Sequence, residues 1–108
     1  MTLSIALALI WIHFIADFMM QSDRVALNKS KDSKILLWHV ALYGLFLLPF
    51  GLIYAVVNAA LHFVTDFCTS RATSALWKKN ERHWFFVVIG LDQAIHMTCL
   101  FATYEVLA

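Results

Sequence analysis

ILLWHVALYGLFLLPFGLIYAVVNAALHFVTDFC, residues 35–68, is an almost unbroken apolar run of 34 residues. As one helix it would be about 51 Å long at 1.5 Å per residue, far beyond the ~30 Å hydrocarbon core of a bilayer. Its midpoint carries the only proline of the chain, Pro49, with Gly51 close behind. Proline lacks the N–H that would continue a helix, and glycine tolerates a tight turn. The run therefore reads as two helices joined by a hairpin at 49–52. A re-entrant pair that stops short of the far face is the alternative.

Two further apolar segments flank this hairpin, from Leu3 to about Met20 and from about Trp84 to Leu107. Both are long enough to cross hydrocarbon. The fold class is all-α, a polytopic four-helix transmembrane bundle in a single domain, 1–108. Composition agrees: 62% of residues are hydrophobic and 14% charged, whereas soluble domains are about half apolar and a quarter charged. The N-terminal segment has no Lys or Arg before Arg24 and is interrupted by Asp17. It reads as a retained membrane helix and not as a secretory leader.

Charge sets the orientation. Arg24, Lys29, Lys31 and Lys34 lie in one loop, and Arg71, Lys78, Lys79 and Arg82 in another; these are all eight basic residues. Under the positive-inside rule, loops 22–34 and 70–83 are cytoplasmic and both termini lie outside an inner (plasma) membrane. The stretch TSRATSALWKKNERH reads as helix three running on past the membrane, with Trp77 at the interface. Net charge is +1 with no basic stripe, so no nucleic-acid partner is indicated. Cys68 and Cys99 lack any paired spacing and fix no disulfide.

Against this apolar background the polar residues stand out. His13, Asp17 and Gln21 follow one another at intervals of four, on one helix face. HFIADF at 13–18 recurs as HFVTDF at 62–67, giving His62 and Asp66 at the same spacing. His39 lies near the cytoplasmic start of helix two, and helix four offers Asp92, Gln93 and His96. With the orientation above, all of these fall from mid-membrane inward. The echo suggests two helical hairpins related by an approximate two-fold, their His–Asp faces opposed.

An Asp at a helix centre costs roughly 2.5–3.5 kcal/mol on insertion scales, so three cost on the order of 9 kcal/mol before compensation. Intramembrane ionisable groups pair, line a cavity or bind something. A divalent cation, zinc or manganese, would offset the cost most directly, because imidazole and carboxylate are its ligands. The candidate metal ligands are His13, Asp17, His39, His62, Asp66 and His96. Six donors exceed one tetrahedral zinc, so either two metals bind or some members only support the ligands. Asp92 would act as general base or orient His96, and Gln21 and Gln93 would bond a ligand carboxylate or a substrate oxygen. The plainer reading is interhelical glue, neutral imidazole bonded to a shared or protonated carboxylate. Bis-histidine haem is a poorer fit, because aspartates make little sense beside it.

The segments HFIADFMMQ, LLWHV, HFVTDF and DQAIH, in this order, resemble a family of small bacterial and phage membrane proteins catalogued as domain of unknown function 3307. The resemblance spans essentially the whole chain and implies a compact polytopic protein; it supplies no reaction. The pattern is also loosely similar to that of polytopic membrane proteins described as metal-dependent hydrolases, an analogy only. Members of the 3307 family commonly carry a Lys soon after the second Asp, where this chain has Arg71 five residues on. Arginine would serve a phosphate there with different geometry.

The leading expectation is a buried divalent-metal site that activates water against an ester or phosphoester of a membrane-embedded substrate. Arg71 or Arg24 would meet an anionic headgroup. One rival is a proton or metal-ion transporter or channel. Another is a phage-type membrane interaction protein whose His/Asp layer is structural. Membrane lipid is the expected partner, and a homo-oligomer would help so small a chain seal the site.

Overall fold

The computed structural model describes residues 1–19, 21 and 28–108, and within them the chain is all-α. Helix α1 spans Leu3–Phe14 and widens into a π-helical turn at Ile15–Met19. Helix α2 spans Ser33–Leu47 and tightens into a 3₁₀ turn at Leu48–Phe50. Helices α3 and α4 span Leu52–Lys78 and Arg82–Leu107. Met20 and Arg24 lie outside the described residues, so the headgroup role expected of Arg24 has no structural counterpart.

Local sequence explains each boundary. Thr2 caps α1 by accepting the Ile5 N–H at 3.3 Å, and Asp32 caps α2 by accepting the Lys34 N–H at 2.9 Å. The hairpin expected at 49–52 forms there: Pro49 sits in the 3₁₀ turn, and Gly51 adopts φ 122°, a conformation denied to most side chains. At the far end of α3, Asn80 takes a left-handed φ of 61°. Its N–H bonds Trp77 O at 3.0 Å and the Glu81 N–H bonds Leu76 O at 2.9 Å. This is a Schellman motif, with asparagine in the place glycine usually holds.

Ser33–Phe50, α3 and α4 are each long and apolar enough to cross a bilayer. Leu3–Met19 is the shorter apolar helix. At 27 residues α3 is about 40 Å long at 1.5 Å per residue, longer than the ~30 Å hydrocarbon core, and it carries its basic residues at its C-terminal end. There Arg82 packs over the Trp77 ring at 3.5 Å and donates to Trp77 O at 2.8 Å.

The distribution of polarity is inverted relative to a soluble domain. Leu3, Leu52, Ile53, Phe86 and Val106 are largely exposed, while His13, His39, His62, Asp66 and His96 are buried. Apolar surface outward and ionisable groups inward is the pattern of a protein dissolved in lipid. Helix α3 is the centre of the bundle, packed on α2 and α4. Gly44 lets α2 approach α3 closely: a Cβ there would meet Ala59 Cβ at 3.2 Å.

The half of the bundle nearest the termini is filled by Leu9, Tyr43, Leu47, Tyr54 and Leu100, all buried. Its polar atoms are paired internally. Tyr54 Oη donates to Leu100 O at 2.7 Å, and Asn58 Nδ2 donates to Tyr54 O at 3.0 Å and Thr103 Oγ1 at 2.9 Å. The ionisable layer lies on the basic side of this plug.

Candidate metal centre

All four helices contribute to the layer. Asp17 comes from the π-turn of α1, His39 from α2, His62 and Asp66 from α3, and Asp92 and His96 from α4. The π-turn was not foreseen. It begins between His13 and Asp17, so these two do not share the ordinary helical register that their spacing implied.

Four donor atoms converge. His39 Nε2 lies 3.2 Å from His62 Nε2, 2.9 Å from Asp17 Oδ1 and 3.5 Å from Asp66 Oδ2. His62 Nε2 lies 3.4 Å from Asp17 Oδ1 and 3.4 Å from Asp66 Oδ2. A tetrahedron whose corners sit 2.0–2.1 Å from a central zinc has edges of ~3.3 Å. The five separations, 2.9 to 3.5 Å, bracket that value. Donor atoms of all four residues lie within 4.8 Å of one another, and all four residues are buried. This buried His/Asp group could hold a metal ion.

A second group, Asp17, Asp92 and His96, also brings donor atoms within 4.8 Å. Proton accounting links it to the first. His62 Nδ1 faces His96 Nδ1 at 3.1 Å, and one of the two must carry the proton that the other accepts. If His62 binds a cation through Nε2, its Nδ1 carries that proton. His96 Nδ1 is then the acceptor, and His96 Nε2–H faces Asp66 Oδ1 and Asp92 Oδ2, both at 3.2 Å. With Nδ1 accepting from His62 and Nε2 protonated, the His96 ring has no free lone pair for a metal. Occupation of one group therefore withdraws the nitrogen the other needs.

His13 stands one step away. Its Nε2 lies 2.7 Å from Gln93 Oε1 and its Nδ1 2.8 Å from Tyr43 Oη. Gln93 Nε2 donates to Asp92 Oδ2 at 3.0 Å, which leaves Gln93 Oε1 to accept from His13. Both ring nitrogens of His13 are thus engaged, although Asp17 Oδ2 is 3.6 Å away. Asp92 Oδ1 accepts from Thr69 Oγ1 at 2.6 Å. Gln21 lines the cavity beside the layer. Arg71 is not brought to it: its guanidinium packs 3.7 Å over the Phe67 ring and donates to Phe67 O.

Thr69, which bonds Asp92, escaped the sequence reading, and so did Tyr43 and Lys29. Tyr43 stacks on His62 with ring centres 4.1 Å apart, as well as bonding His13. Lys29 reaches in from the loop before α2, placing Nζ 3.1 Å from Asp66 Oδ2. Tyr43 could have been found four residues after His39, on the same face. Nothing distinguished Lys29 from its basic neighbours.

A cavity of about 540 Å³ opens from the layer toward the basic end, touching Asp17, Asp66 and Asp92. The carboxylate side of the cluster therefore faces a space large enough for a small ligand, while the imidazole side is packed.

The family described as Protein of unknown function (DUF3307) matches residues 5–108. No curated protein and no solved structure matches the chain. Four helices, the His/Asp layer they share and a family match over nearly the whole length lead to one statement: this chain belongs to the DUF3307 family.

Proposed function

We propose that the protein is a membrane-embedded, metal-dependent hydrolase that cleaves an ester or phosphoester of a lipid-dissolved substrate. The observation that carries this reading is the approach of His39 Nε2 and His62 Nε2 to each other and to Asp17 Oδ1 and Asp66 Oδ2, whose residues line a cavity. A divalent ion held there would polarise a substrate oxygen and lower the pKa of water at a fifth position, on the side of the two carboxylates that face the cavity.

The remaining residues have supporting tasks. His96 accepts from His62 Nδ1 and so fixes that ring, and its own Nε2–H steadies Asp66. Tyr43 clamps His62 by stacking. Asp92 lines the cavity, with Oδ1 held by Thr69 and Oδ2 by Gln93; it is the general base of this reading. His13 orients Gln93 and is not a ligand. One ion per chain follows from the single proton between His62 and His96.

Transport is the weaker reading. A conducting path would have to continue past the layer toward the termini, where Leu9, Tyr43, Leu47, Tyr54 and Leu100 are buried against one another. The basic ends of α3 and α4 lie on the cytoplasmic side in this proposal, by the distribution of Lys and Arg.

The test is metal analysis of detergent-purified protein, wild type beside His62→Ala, followed by hydrolysis assays with ester and phosphoester lipids. About one tightly held zinc or manganese in the wild type and none in the variant is the expected result. Absence of metal from both ends the hydrolase reading.

A further inference from the structure

The cavity beside the metal centre has two kinds of lining residue. Its apolar lining consists of Phe18, Trp77, Phe85 and Ile89. The rest carries three ammonium groups, Lys29, Lys31 and Lys78, and a group of hydroxyls that includes Ser70.

Ser70 is the informative member. Hydroxyl side chains within helices ordinarily bond a carbonyl of the preceding turn. Thr98 and Thr103 do so, bonding Ala94 O and Cys99 O; Thr73 donates to Ser70 O, and the Thr69 proton goes to Asp92 Oδ1. Ser70 Oγ has no partner among the described residues, although Ser70 is only 8% exposed. Gln21 Oε1, on the same cavity, is likewise without one. Buried polar atoms are paired in folded proteins unless something else supplies the partner. Both orphans border one cavity, so a molecule occupying that cavity can supply the partner.

Its charge follows from the lining. The carboxylates there, Asp17, Asp66 and Asp92, belong to the metal centre. Outside it the charged groups are lysines. A hydroxyl donor with ammonium groups around it is a setting for a tetrahedral oxyanion. The apolar lining, with interfacial Trp77, suits the chain attached to that anion.

Resting on the metal-centre reading, we propose that this cavity is a phosphate-binding subsite. Ser70 Oγ donates to a phosphate oxygen, Lys31 and Lys78 supply charge at the rim, and Lys29 lies between the phosphate and Asp66. The phosphate belongs to a lipid headgroup of the basic-side leaflet or to a soluble phosphate compound entering from that side.

Nanodiscs containing the protein with phosphatidic acid or with phosphatidylcholine alone, each titrated with inorganic phosphate, test this. Binding is read by ³¹P line broadening, with metal content measured on every sample. Wild type is expected to bind phosphate. Ser70→Ala is expected to weaken binding about tenfold, as loss of a charge-assisted hydrogen bond does, and Lys31→Gln several-fold more steeply at low salt. Neither variant changes metal content.

If phosphatidic acid excludes inorganic phosphate, the ligand is a lipid headgroup; if it does not, the ligand is a soluble phosphate compound. Unchanged phosphate affinity in Ser70→Ala, or no phosphate binding by metal-loaded wild type, overturns the subsite and leaves the metal centre standing. A wild type devoid of metal overturns both.

Discussion

His39 Nε2 and His62 Nε2 stand 3.2 Å apart, on rings that are each 1% exposed. A single N–H···N hydrogen bond would account for that distance alone. It would not account for Asp17 Oδ1 and Asp66 Oδ2 closing on the same two nitrogens at 2.9 to 3.5 Å. Two ring protons cannot serve all of those approaches at once, whereas one divalent cation serves them together.

That relationship separates ligands from neighbours. His39→Ala, His62→Ala and Asp66→Asn are expected to abolish tight metal binding, and His13→Ala to retain it. Elemental analysis after gel filtration in detergent decides the matter. A His13→Ala protein that is folded and metal-free would move His13 into the ligand set.

His96 contacts His62 and Asp66, and in the proposed centre it would act through them. Loss of such a supporting partner weakens metal affinity by about 10–100-fold without removing a ligand. Competition with a chromophoric chelator should therefore show His96→Ala weaker in affinity at an unchanged stoichiometry of one. A wild type holding two ions, falling to one in His96→Ala, would contradict the proton accounting.

Helix packing away from the centre is separable from it. Gly44→Val pushes a branched side chain toward Ala59 Cβ, which a Cβ would already meet at 3.2 Å. It should destabilise by about 1–3 kcal/mol. Asn58→Leu removes the bonds to Tyr54 O and Thr103 Oγ1 and should cost roughly 0.6–1.7 kcal/mol. Unfolding in mixed micelles measures both, and metal content in the refolded samples should match wild type.

Orientation can be read with a single thiol. In a background with Cys68→Ser and Cys99→Ser, Lys79→Cys should be labelled by an impermeant maleimide only in inside-out vesicles. Labelling of right-side-out vesicles alone would invert the proposed topology.

Much of the fold was legible because lipid makes it so. A 34-residue apolar run must be broken, and Pro49 with Gly51 named the place. The layer was legible for the same reason, since ionisable groups have nowhere to go but inward. What the sequence left open was the sorting within the layer. His13 and His62 share a motif, yet only His62 joins the group with His39, Asp17 and Asp66; a π-turn follows His13, where α3 continues regularly through Asp66. IADFM holds neither proline nor glycine to signal that turn. Arg71, favoured for its position after Asp66, stays with Phe67. Lys29, 37 positions before Asp66 in the chain, reaches it instead. A long flexible cation leaves no periodic trace.

The plug of Leu9, Leu47, Tyr54 and Leu100 has a kinetic corollary. With that end stoppered, the reactant and product of the proposed hydrolysis would share one doorway, and each turnover would have to clear the mouth before the next begins. Under the proposed reaction a cleaved headgroup would escape into water, while its greasy remainder would linger in the adjoining leaflet, where its accumulation would throttle the protein that made it.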